Sequence, residues 1–412
     1  MLPLFYFEKI VLPFPVIQST YHLLRFLSFL SSIVVCIAIF KNIKQWKTTS
    51  TDIFLLLFLF SLTISSVFSD DPLSTLGILS HVYIAVINYF LFYFASHFEK
   101  KFTTMVVLLL GILNSVTGLV SITALLWPRI AERLWSLLLW ENVFQKFVFD
   151  FGRDRIRPIG AILITSFIPQ FHLICQKLSK STEKMLAMLM VIIITVAILL
   201  SNYRNFILSY LIMLTFISFI IIKKSVFKIH IKLLLSSTLL IVITFSIYVQ
   251  MLTPIKVINR FITQEPSESA IISRLLYARQ ALEIASKNIW VGIGPGNYQN
   301  YNFPIKTEVI FNNGTPNRFE MTNFLVLGPH NIFFQTLAES GIFGLLSFIL
   351  ILISFAKEDY EYLVCKNKID DINSIILRAP FWLFILASLF DSFPPYALAT
   401  SLALRGIIRS IK

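Results

Sequence analysis

The sequence predicts an all-α integral membrane protein with about 11–12 transmembrane helices and one large extracytoplasmic loop. Of its 412 residues, 56% are hydrophobic and only 14% are charged, whereas soluble domains carry roughly 25% charged residues. Apolar runs of about 20 residues, the length that crosses a bilayer, recur along most of the chain. The longest polar interruption lies between Thr253 and His330.

Each apolar run predicts one membrane-crossing helix, and polar loops separate the runs. Residues 2–18 form either a further span or a re-entrant segment. The chain thus divides into N-terminal helices (1–127), an extracytoplasmic amphipathic loop (128–157), central helices (158–252), the large extracytoplasmic loop (253–330) and C-terminal helices (331–412). The runs lie at Leu23–Phe40, Asp52–Ser69, Ser74–Ala95, Phe102–Trp127, Ile159–Cys175, Met185–Ser201, Asn205–Ile222, Lys232–Leu252, Ile332–Ala356, Ile375–Phe390 and Pro395–Ile408.

The loops alternate in composition, which predicts the side of the membrane on which each lies. Every second loop is rich in lysine, and such loops face the cytoplasm by the positive-inside rule. The loop with Asp70 and Asp71 then faces outward, as do the long loops 128–157 and 253–330. The basic residues that set the pattern are Lys41, Lys44, Lys47, Lys100, Lys101, Lys177, Lys180, Lys184, Lys223, Lys224, Lys228, Lys357, Lys366, Lys368, Arg405, Arg409 and Lys412.

The charge and the cysteines exclude several classes of function. The net charge of +13 does not indicate a nucleic-acid partner, because the basic residues are scattered among apolar helices and form no patch on a soluble module. Cys36, Cys175 and Cys365 are isolated in the sequence, so their spacing indicates neither a disulfide framework nor a zinc site.

The two long outward loops are rich in arginine, whereas the cytoplasmic loops carry mostly lysine. A guanidinium group is a planar set of donors that can hold phosphate through paired hydrogen bonds. These arginines therefore suit a lipid phosphate or pyrophosphate; for any single one, general binding of lipid headgroups or pairing with loop acids explains it equally well. In the first loop, Ile130–Phe149 predicts an amphipathic interfacial helix, either a structural cover or a lid.

Four arginines lie in short motifs that are candidates for substrate binding. Arg204 lies in a tight hairpin between two apolar spans, so it should have a partner and either binds substrate or extends to headgroups. Arg157 precedes Pro158 at the start of a span, which points it at the outward rim of the bundle. Ser273–Leu282 has helical spacing and places Arg274 one turn from Tyr277, with Arg279 following.

Two further features complete the candidate site. Gly292, Gly294 and Gly296 predict a Gly/Pro turn rather than a dinucleotide fingerprint, because no strand precedes them. His330 stands where an apolar helix begins, and a helix N-terminus disfavours positive charge, so the neutral imidazole can accept a proton as a general base. The alternative role for His330 is an ordinary helix cap. Glu339, further along that helix, orients His330 only indirectly or lines the cavity.

On these motifs the sequence resembles the O-antigen ligase/polymerase superfamily of bacterial membrane glycosyltransferases. The hairpin departs from the family pattern, because Asn205 and Phe206 follow Arg204 where relatives often have small residues and glycine. The residues that carry the resemblance are Arg157-Pro158-Ile159-Gly160, Ser201–Arg204, Arg274 with Gly292–Tyr298, and Pro329-His330-Asn331 with Leu337–Gly344.

The resemblance implies a fold similar to the C-type membrane glycosyltransferases and a site on the periplasmic side of the bacterial inner membrane. It implies transfer of a glycan from undecaprenyl pyrophosphate to a hydroxyl acceptor, favouring lipid A-core, without a metal or other cofactor. Membrane lipids are expected partners and nucleic acid is not. The expected site residues are the catalytic His330, Arg274 and Arg204, and the substrate-binding Arg157, Arg279, Tyr277 and Glu339.

Three other functions stay open at the level of sequence. An O-antigen polymerase, with a second lipid-linked unit as acceptor, and a protein O-oligosaccharyltransferase would share the donor site. A transporter or flippase for a lipid-linked sugar would also need arginines and a cavity. Transporters more often show internal repeats, and this chain shows no convincing repeat, while its candidate groups gather on one face.

Overall fold

The computed structural model describes residues 48–98, 268–300, 329–362, 372–389 and 395–411, with the single positions 33, 37, 112, 119, 185, 189, 192 and 193. These ranges contain helices and connecting turns and no strand, which agrees with the predicted all-α class. The helices are α1 (Ser50–Val67), α2 (Pro72–Phe98), α3 (Glu268–Lys287), α4 (Ile332–Tyr360), α5 (Ile372–Ser388) and α6 (Pro395–Ile411), with a short 3-10 helix at Asn297–Asn300.

Helices α1, α2 and α4 are long and apolar enough to cross a membrane. Their bounds lie within a few residues of three predicted runs, and α5 and α6 coincide with the last two predicted runs in the same way. The described part of the chain is therefore α-helical and contains three helices suited to crossing a membrane, which is consistent with the predicted class. The other predicted runs, apart from isolated helical positions, and the amphipathic loop 128–157 lie outside the described residues.

Local signals in the sequence fix where α1 and α2 begin. Thr49 is the N-cap of α1 and forms a capping box with Asp52, in which the Thr49 backbone N–H donates to the Asp52 carboxylate at 2.8 Å. The box satisfies amide groups that the first helical turn leaves without partners. Pro72 begins α2, a position where the missing N–H costs nothing.

Contacts near the helix ends give the relative directions of two helix pairs. Helix α4 runs antiparallel to α1, because Thr51 Oγ1 lies 2.6 Å from Ser354 Oγ near one end and Ser65 Oγ donates to the Glu339 carbonyl at 2.5 Å near the other. Helix α6 runs parallel to α2, because the hydroxyls of Ser96 and Ser410 lie 2.6 Å apart. These relative directions match those that the alternating loops predict. The core between the helices is aromatic and aliphatic, and its largest fully buried side chains include Tyr89, Phe355 and Phe381.

One end of the bundle, which we term the ion-pair end, is fastened by buried charges. Arg405 donates to both carboxylate oxygens of Asp359 at 2.6 Å each, Arg378 pairs with the same carboxylate, and Arg409 pairs with Asp52. From the sequence alone, Arg405 and Arg409 are expected among the charges of a cytoplasmic chain end. The structure instead places both within α6, where their side chains are 1% and 8% exposed and bound to acids.

Candidate active site

At the opposite end of the bundle, which we term the loop end, helix α4 is broken. Gly341 has φ 66° and ψ −167°, which no helical residue adopts, and the helix resumes after it. In a continuous helix the Ile342 N–H would bond to the Ala338 carbonyl. Here it donates to Ile289 at 2.8 Å. The break therefore leaves carbonyl groups of α4 available to another segment.

That segment is the glycine loop, residues 288–298. The Ile293 N–H donates to the Ala338 carbonyl at 3.1 Å, and the Gly294 N–H donates to the Glu339 carbonyl at 2.9 Å. Gly292, Gly294 and Gly296 all have positive φ, so the predicted Gly/Pro turn is confirmed. The loop restores, between two segments, the backbone hydrogen bonds that the break removes from α4.

Glycine is required on both sides of this contact. A Cβ on Gly341 would overlap the backbone of Trp290, and a Cβ on Gly292 would overlap the Glu339 carbonyl group. Both residues also have φ in the left-handed region, 66° and 73°, where a side chain adds strain. The close approach of loop and helix thus depends on the absence of two side chains.

Hydroxyl and amide side chains fix the loop to α1 and α2. Ser69 Oγ, in the α1–α2 turn, donates to the Ile293 carbonyl at 2.8 Å. Asn297 Nδ2 donates to Ser69 Oγ at 2.5 Å, and Ser74 Oγ donates to Asn297 Oδ1. The large loop and the Asp70-Asp71 turn therefore lie at the same end of the bundle, as the predicted topology requires.

The Glu339 carboxyl group lies in the middle of this contact. The side chain of Glu339 is buried, at 6% exposure. Its carboxyl group accepts hydrogen bonds from the backbone N–H groups of Gly296 and Tyr298, and Gln335 Nε2 lies 3.4 Å from Glu339 Oε1. Most of what the carboxyl group can accept is thus supplied by the protein itself.

Tyr298 connects the glycine loop to α3. Its side chain is fully buried, and its hydroxyl donates to the Tyr277 carbonyl at 3.0 Å, with Gln280 Oε1 at 3.4 Å. Burial raises the pKa of Tyr298 above its ordinary value, so the phenol stays protonated and remains a donor. The position of α3 is therefore coupled to that of the loop.

His330 lies directly before α4, facing α3. The helix is capped by Asn331, whose Oδ1 accepts from the Phe333 and Phe334 amides at 2.9 and 3.2 Å. The capping role considered for His330 is thus filled by its neighbour. His330 has φ 49°, a left-handed conformation, and its ring centroid lies 5.5 Å from that of Tyr277. The α3 backbone carries Arg274 one turn before Tyr277.

A comparison with known protein families matches part of the chain. Residues 189–349 match the family described as O-antigen ligase. We name this segment the O-antigen ligase domain after the family that it resembles. The resemblance to the O-antigen ligase/polymerase superfamily is thereby confirmed, over somewhat less than half of the chain. No curated protein matches the chain.

The O-antigen ligase domain contains most of the predicted site. Arg204, Arg274, Tyr277, Arg279, His330 and Glu339 all fall within it, whereas Arg157 precedes it. The structure brings Tyr277 and His330 into ring contact and places Arg279, which is exposed, on the same helix as Tyr277. Arg157 and Arg204 lie outside the described residues, so their predicted roles stay predictions.

A cavity of about 80 Å³ lies beside the glycine loop of the O-antigen ligase domain. Its walls are mostly apolar side chains of α1, α2, α4, α5 and α6, together with Pro295. Gln335, Thr336, Glu339 and Ser340 are its polar residues. Glu339 therefore does line the cavity, as one sequence interpretation expected.

Sequence reasoning missed the residues that hold the loop in place, namely Ser65, Ser69, Ser74 and the helix break at Gly341. A glycine inside an otherwise helical run costs about 1 kcal/mol relative to alanine. That cost at Gly341 is the signal by which the break could have been found.

Proposed function

We propose that the chain transfers a glycan from undecaprenyl pyrophosphate to an acceptor hydroxyl at the outer face of the bacterial inner membrane, with lipid A-core as the favoured acceptor. The observation that carries this proposal is the placement of His330 in an O-antigen ligase domain. His330 does not cap α4, adopts a left-handed backbone, and packs its ring on the helix that carries Arg274. Non-glycine residues in that conformation are uncommon and concentrate at functional sites.

In this proposal His330 is the general base. The acceptor hydroxyl oxygen attacks the anomeric carbon of the donor sugar as its proton passes to the imidazole. The bond from the anomeric carbon to the pyrophosphate oxygen breaks, and undecaprenyl pyrophosphate leaves with the electron pair. A single displacement of this kind inverts the anomeric centre. General-base assistance is worth roughly 10²–10⁴ in rate.

Arginines stabilise the negative charge that develops on the leaving pyrophosphate. Arg204 and Arg274 have this catalytic role in the proposal, while Arg157, Arg279 and Tyr277 contact the substrate. Fixed guanidinium donors placed where charge develops lower the barrier without reorganising during the reaction. They can take the place of a metal cation at the pyrophosphate, so the proposed reaction needs no metal.

The decisive experiment supplies the purified protein, reconstituted in lipid, with an undecaprenyl-pyrophosphate-linked glycan in the presence of EDTA. The acceptor is lipid A-core, a second lipid-linked unit or a peptide with hydroxyl side chains. We expect a glycan attached to lipid A-core, with inverted anomeric configuration. Elongated donor or glycosylated peptide would instead identify a polymerase or a protein transferase.

A control with donor alone separates transfer from transport. The same protein in sealed vesicles, given fluorescent lipid-linked donor in one leaflet, reports movement across the bilayer. Movement of the donor without any glycan transfer would identify a flippase and overturn the proposed enzyme.

A further inference from the structure

We propose that Glu339 is a positioning residue: its buried carboxyl group holds the glycine loop in the break of α4 and thereby sets α3 against His330. The proposal rests on the proposed function only for its effect on catalysis. It revises the sequence interpretation of Glu339 as a substrate-binding residue. Each step of the coupling is a contact in the described part of the chain.

The first step joins the carboxyl group to the loop. The backbone N–H groups of Gly296 and Tyr298 are hydrogen-bond donors to the Glu339 carboxyl group, and hydrogen bonds from backbone N–H to a carboxylate are among the stronger ones in proteins. The side chain is 6% exposed, so few of its acceptor positions are open to a substrate. A buried acid that accepts from two backbone donors of the glycine loop fits a role in holding that loop.

The second step joins the same residue to the helix break. The Glu339 carbonyl accepts from Gly294 at 2.9 Å and from Ser65 Oγ at 2.5 Å. Glu339 thus holds the loop through its backbone and its side chain at once. Loss of the carboxyl group removes the contacts at Gly296 and Tyr298 and leaves those at Ile293 and Gly294.

The third step carries the effect to the site. The backbone N–H of Tyr298 is bonded to the Glu339 carboxyl group. The hydroxyl of Tyr298 donates to the Tyr277 carbonyl in α3 at 3.0 Å, so Tyr298 connects Glu339 to α3. Tyr277 then packs its ring on His330. Loosening the loop therefore lets α3, with Arg274, move relative to the proposed base.

The test compares amide hydrogen exchange with kinetics in Glu339→Gln and Glu339→Ala, using the full chain in lipid nanodiscs. We expect exchange of the loop amides to accelerate at least tenfold in Glu339→Ala, and less in Glu339→Gln, whose side-chain oxygen can still accept one N–H. A tenfold change is about 1.4 kcal/mol, at the lower end of what a hydrogen bond to a charged group contributes. Exchange in α2 should not change, which shows that the bundle is intact.

The kinetic readout separates positioning from substrate binding. We expect kcat to fall about tenfold or more in Glu339→Ala, while KM for the lipid-linked donor changes less than about twofold. The loss of an interaction that acts mainly in the transition state lowers kcat without raising KM. Ser347→Ala is the matched control on α4, since the Ser347 hydroxyl donates only to Phe343 within the same helix at 2.7 Å. Its exchange and kinetics should equal those of the unmodified protein.

Tyr298→Phe keeps the proposal testable if the Glu339 variants do not fold. It removes the hydroxyl that reaches α3 and leaves the Tyr298 amide in place, so exchange should accelerate in α3 and kcat should fall, with the loop amides unchanged. Unchanged loop exchange in Glu339→Ala, or a raised KM as the main effect, would overturn the positioning role. Accelerated exchange with full activity would overturn the coupling. If the unmodified protein transfers no glycan, the proposed function fails, and the exchange data still decide whether Glu339 holds the loop.

Discussion

The two ends of the bundle bury polar groups by opposite means. At the ion-pair end, Arg378 and Arg405 share Asp359, whose second oxygen also accepts from Trp382 Nε1 at 2.8 Å. At the loop end, the contacts are backbone amides, hydroxyls and one carboxyl group around a helix break at Gly341. A buried arginine that has an acid beside it fastens helices together. At the loop end, the polar groups instead hold the glycine loop against α4, next to His330 in its left-handed conformation.

The comparison also shows why arginine alone is a weak sign of phosphate binding. Arg405 lies over the rings of Phe355 and Phe381, at 4.7 and 5.0 Å, and Arg409 lies 4.5 Å above the ring of Tyr93. Aromatic rings and acids together make these cations part of the core. Substitutions at the two ends should therefore separate loss of stability from loss of catalysis.

The largest effect is expected at the loop end, on catalysis alone. His330→Ala should lower the rate of glycan transfer by roughly 10²–10⁴, because it removes the proposed general base. Arg274→Ala should abolish measurable transfer by removing positive charge from the pyrophosphate site. Both variants should insert in normal amounts and keep the apparent Tm, measured in detergent. His97→Ala is the matched control, because His97 lies in the last turn of α2, at the ion-pair end of the bundle, and this variant should transfer normally.

At the ion-pair end, the effect should fall on stability. Asp359→Asn removes the charge that Arg378 and Arg405 share, which leaves buried cations uncompensated and costs about 3–5 kcal/mol of the free energy of unfolding. The apparent Tm and the amount of folded protein report it, and the kcat of the folded fraction should stay unchanged. Glu361→Gln is the matched control, because its pair with Lys357 is exposed and worth at most about 1 kcal/mol. Equal effects of the two substitutions would contradict a structural role for the buried pairs.

A substitution in the helix break should lower both the stability of the protein and its rate of glycan transfer. Gly341→Ala adds a Cβ that overlaps the Trp290 backbone, at a φ that costs roughly 1–3 kcal/mol for a side chain. We expect a lower apparent Tm, faster exchange of the loop amides and slower transfer. Gly292→Ala approaches the same contact from the loop side and should reproduce all three changes. If only one of the two variants shows them, the loop does not occupy the break in the active protein.

The smallest expected effect distinguishes the helix cap from its neighbour. Asn331→Ala removes the N-cap of α4 and should cost about 0.5–2 kcal/mol of stability, measured as a fall in the apparent Tm. His330→Ala removes no cap, so its Tm should not fall by a comparable amount. The reverse order would restore the capping role to His330.

Much of the fold could be predicted from the sequence because apolar runs end where polar residues begin. The predicted run Asp52–Ser69 corresponds to α1 (Ser50–Val67), and the helical spacing at Ser273–Leu282 lies within the longer α3. The pairing of Arg409 with Asp52 could not be predicted, because the two residues are 357 positions apart and the sequence around each contains no signal that points to the other.

The candidate site was predicted less completely. The Pro329-His330-Asn331 motif and the position of Tyr277 were found from the sequence, and their ring contact agrees with a shared site. The break at Gly341 was missed because its φ depends on hydrogen bonds from a segment that lies about 50 residues earlier in the chain. Such a conformation arises from tertiary contacts, which helix periodicity does not encode.

The break in α4 places a polar contact well inside the length of a helix that is long enough to cross a membrane. Gly341 lies nine residues after Ile332, where α4 begins, which is about 14 Å along a helix axis. A bilayer's hydrocarbon layer is about 30 Å thick, so the contact between the glycine loop and α4 lies about half that thickness from the start of the helix. The Ala338 and Glu339 carbonyls at the break are bonded to amides of the glycine loop, so this polar contact is satisfied within the protein, as a lipid environment requires.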